Sequence, residues 1–289
     1  MTAFEHLSVL ACQVDVPLTR TSADRDAHLA DMSAKVSGAL AREHTDIVVL
    51  PELSSIEYSR QAFEQLDEIA EPLDGPSFET WRRVSRDFGT YVAFSFPRCT
   101  VDGCFVTMAV TDPGGNLVGH YDKIYLAQFG ASMEKEFFQR GDKLFIFNVN
   151  GFRLGASICA DIRIPELPRA LTVEGEADLI LHCGAYFRDP SFYSWHNFVI
   201  ARALENQVFF LSLNRAGKNY GRSMFCPPWV DENRLPFVFK NHDEQLVRLI
   251  VERGEIALAR ERYSFLKDRL PHHTLPAEIT GQPMLRKTK

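Results

Sequence analysis

The chain has no CxxC pair, no long basic run, no phosphate-binding glycine loop and no Gly-, Ser- or Pro-rich linker in its 289 residues. Its apolar runs fall well short of the roughly 20 residues needed to cross a bilayer. With 32 Lys and Arg against 38 Asp and Glu, the net charge is −6. That balance lacks the basic footprint of a nucleic-acid binder. No repeat recurs at a period of 20–50 residues, which excludes solenoids and propellers. The N-terminal MTAFEHLSVLACQ carries Glu5 and no basic leader. It does not read as a signal peptide, so a reducing cytoplasm is the expected compartment.

Cysteine is sparse: Cys12, Cys99, Cys104, Cys159, Cys183 and Cys226. Cys99 and Cys104 would form a metal pair only with two further ligands. His182 and Cys183 are neighbours on an expected strand and so point to opposite faces. A structural zinc is therefore not expected, and most of these cysteines read as small buried hydrophobes.

What is present is a globular composition, 45% apolar and 24% charged. Short apolar runs alternate with amphipathic stretches. Strands are expected at 7–14, 46–50, 91–96, 104–111, 117–122, 144–149, 152–158, 177–183 and 208–214. Helices are expected at 23–43, 76–88, 165–175 and 191–207, and a further helical stretch near 253–266. In the first of them Leu29, Met32, Val36 and Leu40 fall at helical spacing. Asp112-Pro-Gly-Gly-Asn116 and Asn150-Gly151 predict hairpins, the latter with a type I′ turn. This alternation indicates one α/β domain with mixed sheets over residues 1–280, followed by a loose basic tail at 281–289.

Three reactive residues share one position. The run DIVVL leads into Pro51-Glu52, LVGHYD leads into Lys123, and FRLGASI leads into Cys159. Each follows the C-terminal end of an apolar strand, the edge at which open α/β sheets bind ligands. The chemistry of such a trio is coherent. A carboxylate can take the thiol proton and return it to a leaving amine. An ammonium can hold an oxyanion. The set suits acyl transfer from an amide or nitrile carbon.

These motifs resemble those of the nitrilase superfamily, the carbon–nitrogen hydrolases. VVLPELS (48–54) is similar to the family's glutamate motif, HYDKIYL (120–126) to its lysine motif and GASICADIRIPELPRAL (155–171) to its nucleophile motif. EKEFFQRGD (134–142), WHNFVIARALENQ (195–207), LNRAG (213–217) and YGRSMFCPPW (220–229) extend the likeness in family order over about residues 7–270. The resemblance implies Glu52 as general base, Lys123 as oxyanion stabiliser and Cys159 as nucleophile. It implies Glu134 as a second glutamate, with Glu136 as the alternative, and the Ala160 N–H as an oxyanion donor. It implies no metal and no organic cofactor. The implied fold is a four-layer αββα sandwich of two mixed sheets. The implied assembly is a homodimer or larger homo-oligomer through 165–175 and 191–206.

Other marked positions read as architectural. Asp161 and Arg163 are expected to form a buried ion pair at the elbow, and Pro165-Glu166 to open a helix. Arg202 and Glu205, three apart, are expected to pair on one helix face, and Trp195 to pack. Phe129, Tyr186 and Phe187 are the expected apolar wall for substrate. Cys159-Ala160-Asp161 carries the Asp of amidase and carbamoylase branches, not the Cys-Trp-Glu of family nitrilases. The expected substrate is a small primary amide, cleaved through a Cys159 thioester. An N-carbamoyl compound is the alternative, with Arg188 or Arg98 as carboxylate anchor. Nitrilase activity ranks third, and a catalytically silent scaffold is the non-enzymatic reading.

Overall fold

Nearly unbroken apolar runs give strands that are covered on both faces, and the layers follow from that. In β1 (His6–Gln13) every residue after His6 is buried. Leu7, Val9 and Ala11 face one core, while Leu10 and Cys12 face another. The computed structural model describes residues 5–130 and 132–270; the tail at 281–289 lies outside them.

After β1, α1 (Ser22–Leu40) begins in a reciprocal cap. Thr21 Oγ accepts from the Asp24 N–H, and the Asp24 carboxylate accepts from the Thr21 N–H. Its buried face holds Leu29, Met32, Val36 and Leu40, the expected stripe. Then come β2 (Ile47–Val49), the short α2 (Arg60–Phe63) and α3 (Leu66–Ile69), and α4 (Pro76–Phe88) with Pro76 in its first turn. A run of three strands follows: β3 (Tyr91–Thr100), β4 (Gly103–Thr111) and β5 (Leu117–Asp122). The second half holds β6 (Ile146–Val149), β7 (Phe152–Ile158), α5 (Glu166–Val173), β8 (Leu179–Cys183), α6 (Phe192–Asn206) and β9 (Phe209–Leu213). It closes with β10 (Met224–Cys226), β11 (Phe237–Val238), β12 (Gln245–Glu252) and α7 (Arg253–Arg262).

The strands form two six-stranded sheets, ordered β12-β1-β2-β3-β4-β5 and β11-β10-β9-β8-β7-β6. Each has a parallel trio, β1-β2-β3 or β7-β8-β9, flanked by antiparallel strands. One core fills the space between the sheets, where Val9, Val49 and Met108 meet Phe147, Leu154 and Leu181. A second lies outside the first sheet, where Trp81 and Val84 of α4 join the α1 stripe. On the outer side of the second sheet, Leu171 of α5 and Trp195, Val199 and Ala203 of α6 are buried. The architecture is the expected αββα sandwich.

Both expected hairpins form. Asn150 and Gly151 have φ of 49° and 82°, the paired positive values of a type I′ turn. One further hairpin is longer than the sequence suggests: β3 runs on to Thr100 and pairs with β4 through Pro97↔Val106. Pro97 is tolerated because β2 ends opposite Ala93, so the far side of β3 needs no continuous ladder there. Across this hairpin Cys99 and Cys104 are register partners and form a disulfide. The other four, Cys12, Cys159, Cys183 and Cys226, are free and buried, as expected of most of the cysteines.

Candidate active site

The loop after β2 turns abruptly, with Leu53 at φ 46°. Ser95 Oγ accepts from the Leu53 N–H at 3.0 Å. The buried Arg215 guanidinium donates to the carbonyls of Glu52, Leu53 and Ile56 at 2.6–3.1 Å. Glu52 is thus fixed at its backbone, and its side chain is wholly buried. Lys123, just past β5, is equally buried. Its ammonium sits 2.6 Å from Glu52 Oε1 and 2.6 Å from Glu134 Oε1. Glu134 opens a 3-10 turn, Glu134–Glu136. Its Oε2 accepts from the Ala127 N–H at 2.8 Å, and its Oε1 from the Tyr58 hydroxyl at 2.7 Å. Glu136 points outward to Arg60 at 2.8 Å. Of the two glutamates weighed from the sequence, Glu134 is the one brought to Lys123.

The strand before Cys159 is equally constrained. β7 ends at Ile158, and Cys159 takes φ 45° as it enters the 3-10 turn Cys159–Arg163. The Cys159 carbonyl accepts from His182 Nε2 at 2.9 Å and from the Tyr186 hydroxyl at 2.7 Å. Ala160 follows directly and is buried. The Ala185 N–H donates to Glu52 Oε2 at 2.8 Å and also favours the Cys159 thiolate. Glu52, Lys123, Glu134 and Cys159 therefore occupy one buried cluster and act on one another electrostatically.

That cluster holds two carboxylates around one ammonium, so charge compensation decides its protonation. Burial pushes the Cys159 thiol well above its usual range; Glu52 adds to this, and Lys123 opposes it without prevailing. Burial likewise raises the Glu52 carboxyl, with Lys123 pulling the other way. Burial alone would depress Lys123, yet Glu134 and Glu52 overcome that and hold its ammonium charged well above the usual lysine range. The resting site is therefore a neutral thiol beside an unusually basic carboxylate. Lys123 favours the thiolate, but burial and Glu52 outweigh it.

The elbow differs from expectation at Asp161. No ion pair joins it to Arg163. Asp161 instead accepts from the Ile158 N–H at 2.8 Å, the Tyr125 N–H at 2.9 Å and the Tyr121 hydroxyl at 2.7 Å. Three fixed donors satisfy the carboxylate, so no cation is needed there, although burial still raises its pKa to about 6. The Arg163 guanidinium lies over the Phe129 ring, 4.5 Å from its centroid, and near Phe198. Arg202 and Glu205 do pair, at 2.9 Å, and Arg202 Nε donates to the Ile162 carbonyl, tying α6 to the elbow.

Of the three aromatic residues expected along the pocket, Phe129 and Phe187 are partly exposed, at 42% and 36%. Tyr186 is buried, stacked on Trp195 at 4.4 Å. Its hydroxyl is committed to the Cys159 carbonyl. Arg98 pairs with Asp122 at 2.6 Å, and Arg188 donates to the carbonyls of Tyr220 and Asn241. The sequence carries no local sign of a role for Tyr58, His182 or Ala185. Arg215 has one, its place in LNRAG (213–217). Among the described residues no three His, Cys, Asp or Glu side chains are grouped to hold a metal, and no helix is long and apolar enough to span a membrane.

Gly141 gives a sharp local test of how Lys123 is held. Its N–H donates to the Lys123 carbonyl at 2.9 Å. A Cβ there would meet the Asp122 carbonyl oxygen at 2.0 Å. Gly141→Ala must therefore push the backbone off Lys123. The expected cost is about 1–3 kcal/mol of stability, read as a lowered denaturation midpoint, with a matching fall in activity.

The family model for the carbon–nitrogen hydrolases matches residues 9–231. A 2-oxoglutaramate amidase of Bacillus subtilis (strain 168) is 30% identical over 233 residues, covering 78% of this chain and 85% of that protein. An (R)-stereoselective amidase of a Pseudomonas species is 29% identical over 251 residues, covering 86% and 88%. Among solved structures, a CN-hydrolase superfamily protein of Xanthomonas campestris superposes with a TM-score of 0.79 at 24% identity, covering 96% of this chain and all of that one. An amidase from Nesterenkonia sp. superposes with a TM-score of 0.68 at 20% identity, covering 93% and 97%. The structural likenesses speak to the fold; the family match spans most of the chain and includes the Glu52, Lys123 and Cys159 segments. This chain belongs to the carbon–nitrogen hydrolase family.

Proposed function

We propose that the protein is a thiol amidase that hydrolyses a small primary amide to a carboxylate and ammonia. One observation carries the reading: a buried cysteine, a basic carboxylate and a fully charged lysine share one cluster at three strand ends. As Cys159 Sγ bonds to the amide carbon, its proton passes to Glu52, and the carbonyl π pair moves onto oxygen. The Lys123 ammonium and the Ala160 N–H hold that oxyanion. Glu52 returns the proton to nitrogen as the C–N bond breaks, and ammonia leaves a Cys159 thioester. Water then attacks the thioester carbon while Glu52 takes its proton. The C–S bond breaks, and sulfur recovers the proton from Glu52. Glu134 keeps Lys123 charged and aimed.

The raised Glu52 pKa has a function in this scheme. A carboxylate above its ordinary range is a better base for a thiol that is itself reluctant to ionise. Two related proteins named as amidases support an amide substrate. Arg98 and Arg188, the cations weighed as anchors for an N-carbamoyl acid, hold Asp122 and the Tyr220 and Asn241 carbonyls instead, which favours the amide. The exposed Phe129 and Phe187 remain the proposed apolar wall. A homodimer through α5 and α6, working in the cytoplasm, completes the proposal.

The test is ammonia release from a panel of primary amides, N-carbamoyl amino acids and nitriles. The expected result is turnover of primary amides, with hydroxylamine diverting product to the hydroxamate. Release from ureido compounds alone would replace the amidase reading with a carbamoylase one.

A further inference from the structure

His182 lies on β8 directly between Ser157 of β7 and Ser212 of β9. It is wholly buried, and the reaction sequence above does not use it. Its two ring nitrogens are both engaged. Nε2 lies 2.9 Å from the Cys159 carbonyl oxygen, and Nδ1 lies 2.7 Å from Ser212 Oγ. Ser212 Oγ also receives the Trp195 indole N–H at 2.8 Å.

The chemistry of the two ends fixes the direction of every bond. A carbonyl only accepts, so His182 Nε2 must carry hydrogen. An indole N–H only donates, so Ser212 must use its own hydrogen elsewhere, and Nδ1 is the available acceptor. The chain therefore runs Trp195 Nε1–H to Ser212 Oγ–H to His182 Nδ1, and His182 Nε2–H to the Cys159 carbonyl. All donors and acceptors along it are satisfied by a neutral imidazole. Burial keeps the ring neutral by lowering its pKa to about 4.

The acceptor at the end of this chain belongs to a particular peptide. The Cys159 C=O and the Ala160 N–H share one planar trans unit, so the two bonds point in opposite directions. Pinning the oxygen with His182 and Tyr186 aims the N–H the other way. Hydrogen bonds received by the C=O also polarise the peptide and strengthen its N–H as a donor.

We propose that His182, held as the Nε2–H tautomer by Ser212 and Trp195, is a positioning residue that aims and polarises the Ala160 N–H toward the oxyanion. This rests on the amidase reading for its catalytic consequence, but the tautomer and the clamp do not. The aim matters only once an oxyanion forms, so losing it costs the transition state more than the ground state.

The experiment has three readouts. In wild-type protein labelled with nitrogen-15, long-range imidazole correlation spectra should show His182 with hydrogen on Nε2 and an unprotonated Nδ1. His182→Phe should lower kcat about 10- to 100-fold, with KM within about twofold, because the oxyanion donor is misaimed, not deleted. His182→Gln, whose amide can still donate to the Cys159 carbonyl, should recover most of that loss. Alkylation of Cys159 by iodoacetamide, which forms no oxyanion, should keep its wild-type rate in both variants. The Nδ1–H tautomer, or an unchanged kcat in His182→Phe, would overturn the proposal. So would a fall in alkylation rate that matches the fall in kcat, since that is general damage to the nucleophile. Should His182→Phe not fold, the tautomer in the wild type decides. An Nε2–H tautomer in a protein that releases no ammonia from any amide upholds the clamp and refutes the amidase reading.

Discussion

Cys159→Ala is expected to abolish ammonia release, by at least about 10^4-fold in kcat, while leaving the protein folded. The size follows from the role: with no sulfur there is no thioester, and only oxyanion stabilisation and binding remain. Stability should change little, because the variant removes one sulfur atom and leaves the Cys159 backbone anchors in place. The carbonyl still accepts from His182 and Tyr186. Parallel thermal melts and ammonia assays check this. Matching melts with absent activity are the expected pair.

Lys123→Met should damage both stability and activity. Methionine fills much of the same volume but leaves the Oε1 atoms of Glu52 and Glu134 facing a vacated ammonium position, each 2.6 Å away in the wild type. Removing one partner from a buried ionic cluster costs about 3–5 kcal/mol. The sign with pH follows from the carboxylates. Without the lysine, at least one must stay protonated in the folded protein, so its folded pKa exceeds the unfolded value. Its favourable contribution is then complete below the ordinary glutamate range and is lost as pH rises through the folded value. Denaturant titrations should therefore show the variant's deficit growing from about pH 4 toward neutrality. Adding Glu134→Gln should recover part of the stability, because it removes one of the stranded charges, and none of the activity.

Where the sequence could be read, a local rule was enough. The α1 stripe of Leu29, Met32, Val36 and Leu40 follows from helical spacing, and Asn150-Gly151 follows from turn stereochemistry. Glu52, Lys123 and Cys159 are legible at strand ends because each follows a run that reads as a strand, DIVVL, LVGHYD and FRLGASI. The rest depended on distant partners. Glu134 and Glu136 are two residues apart and chemically alike, and only the donors Tyr58 and Ala127 select between them. Asp161 and Arg163 are expected to pair because both lie at the elbow after Cys159, but backbone and tyrosine donors from β5, the loop after it and the end of β7 satisfy the carboxylate instead. Pro97 reads as a strand end unless it is known that β2 stops opposite Ala93. Arg215 lies more than 150 residues from the loop it braces. His182 reads only as a neighbour of Cys183 on an expected strand, with nothing local to show that its imidazole reaches the Cys159 carbonyl.

In the proposed reaction the Cys159 sulfur carries the acyl group. The most direct measurement is mass spectrometry of the protein quenched with acid during turnover of a primary amide, followed by peptide mapping. The expected result is a mass gain equal to the substrate's acyl group on the peptide holding Cys159, removable by hydroxylamine and absent from Cys159→Ala. Steady ammonia release with no acyl adduct at Cys159, or an adduct on another residue, would contradict it.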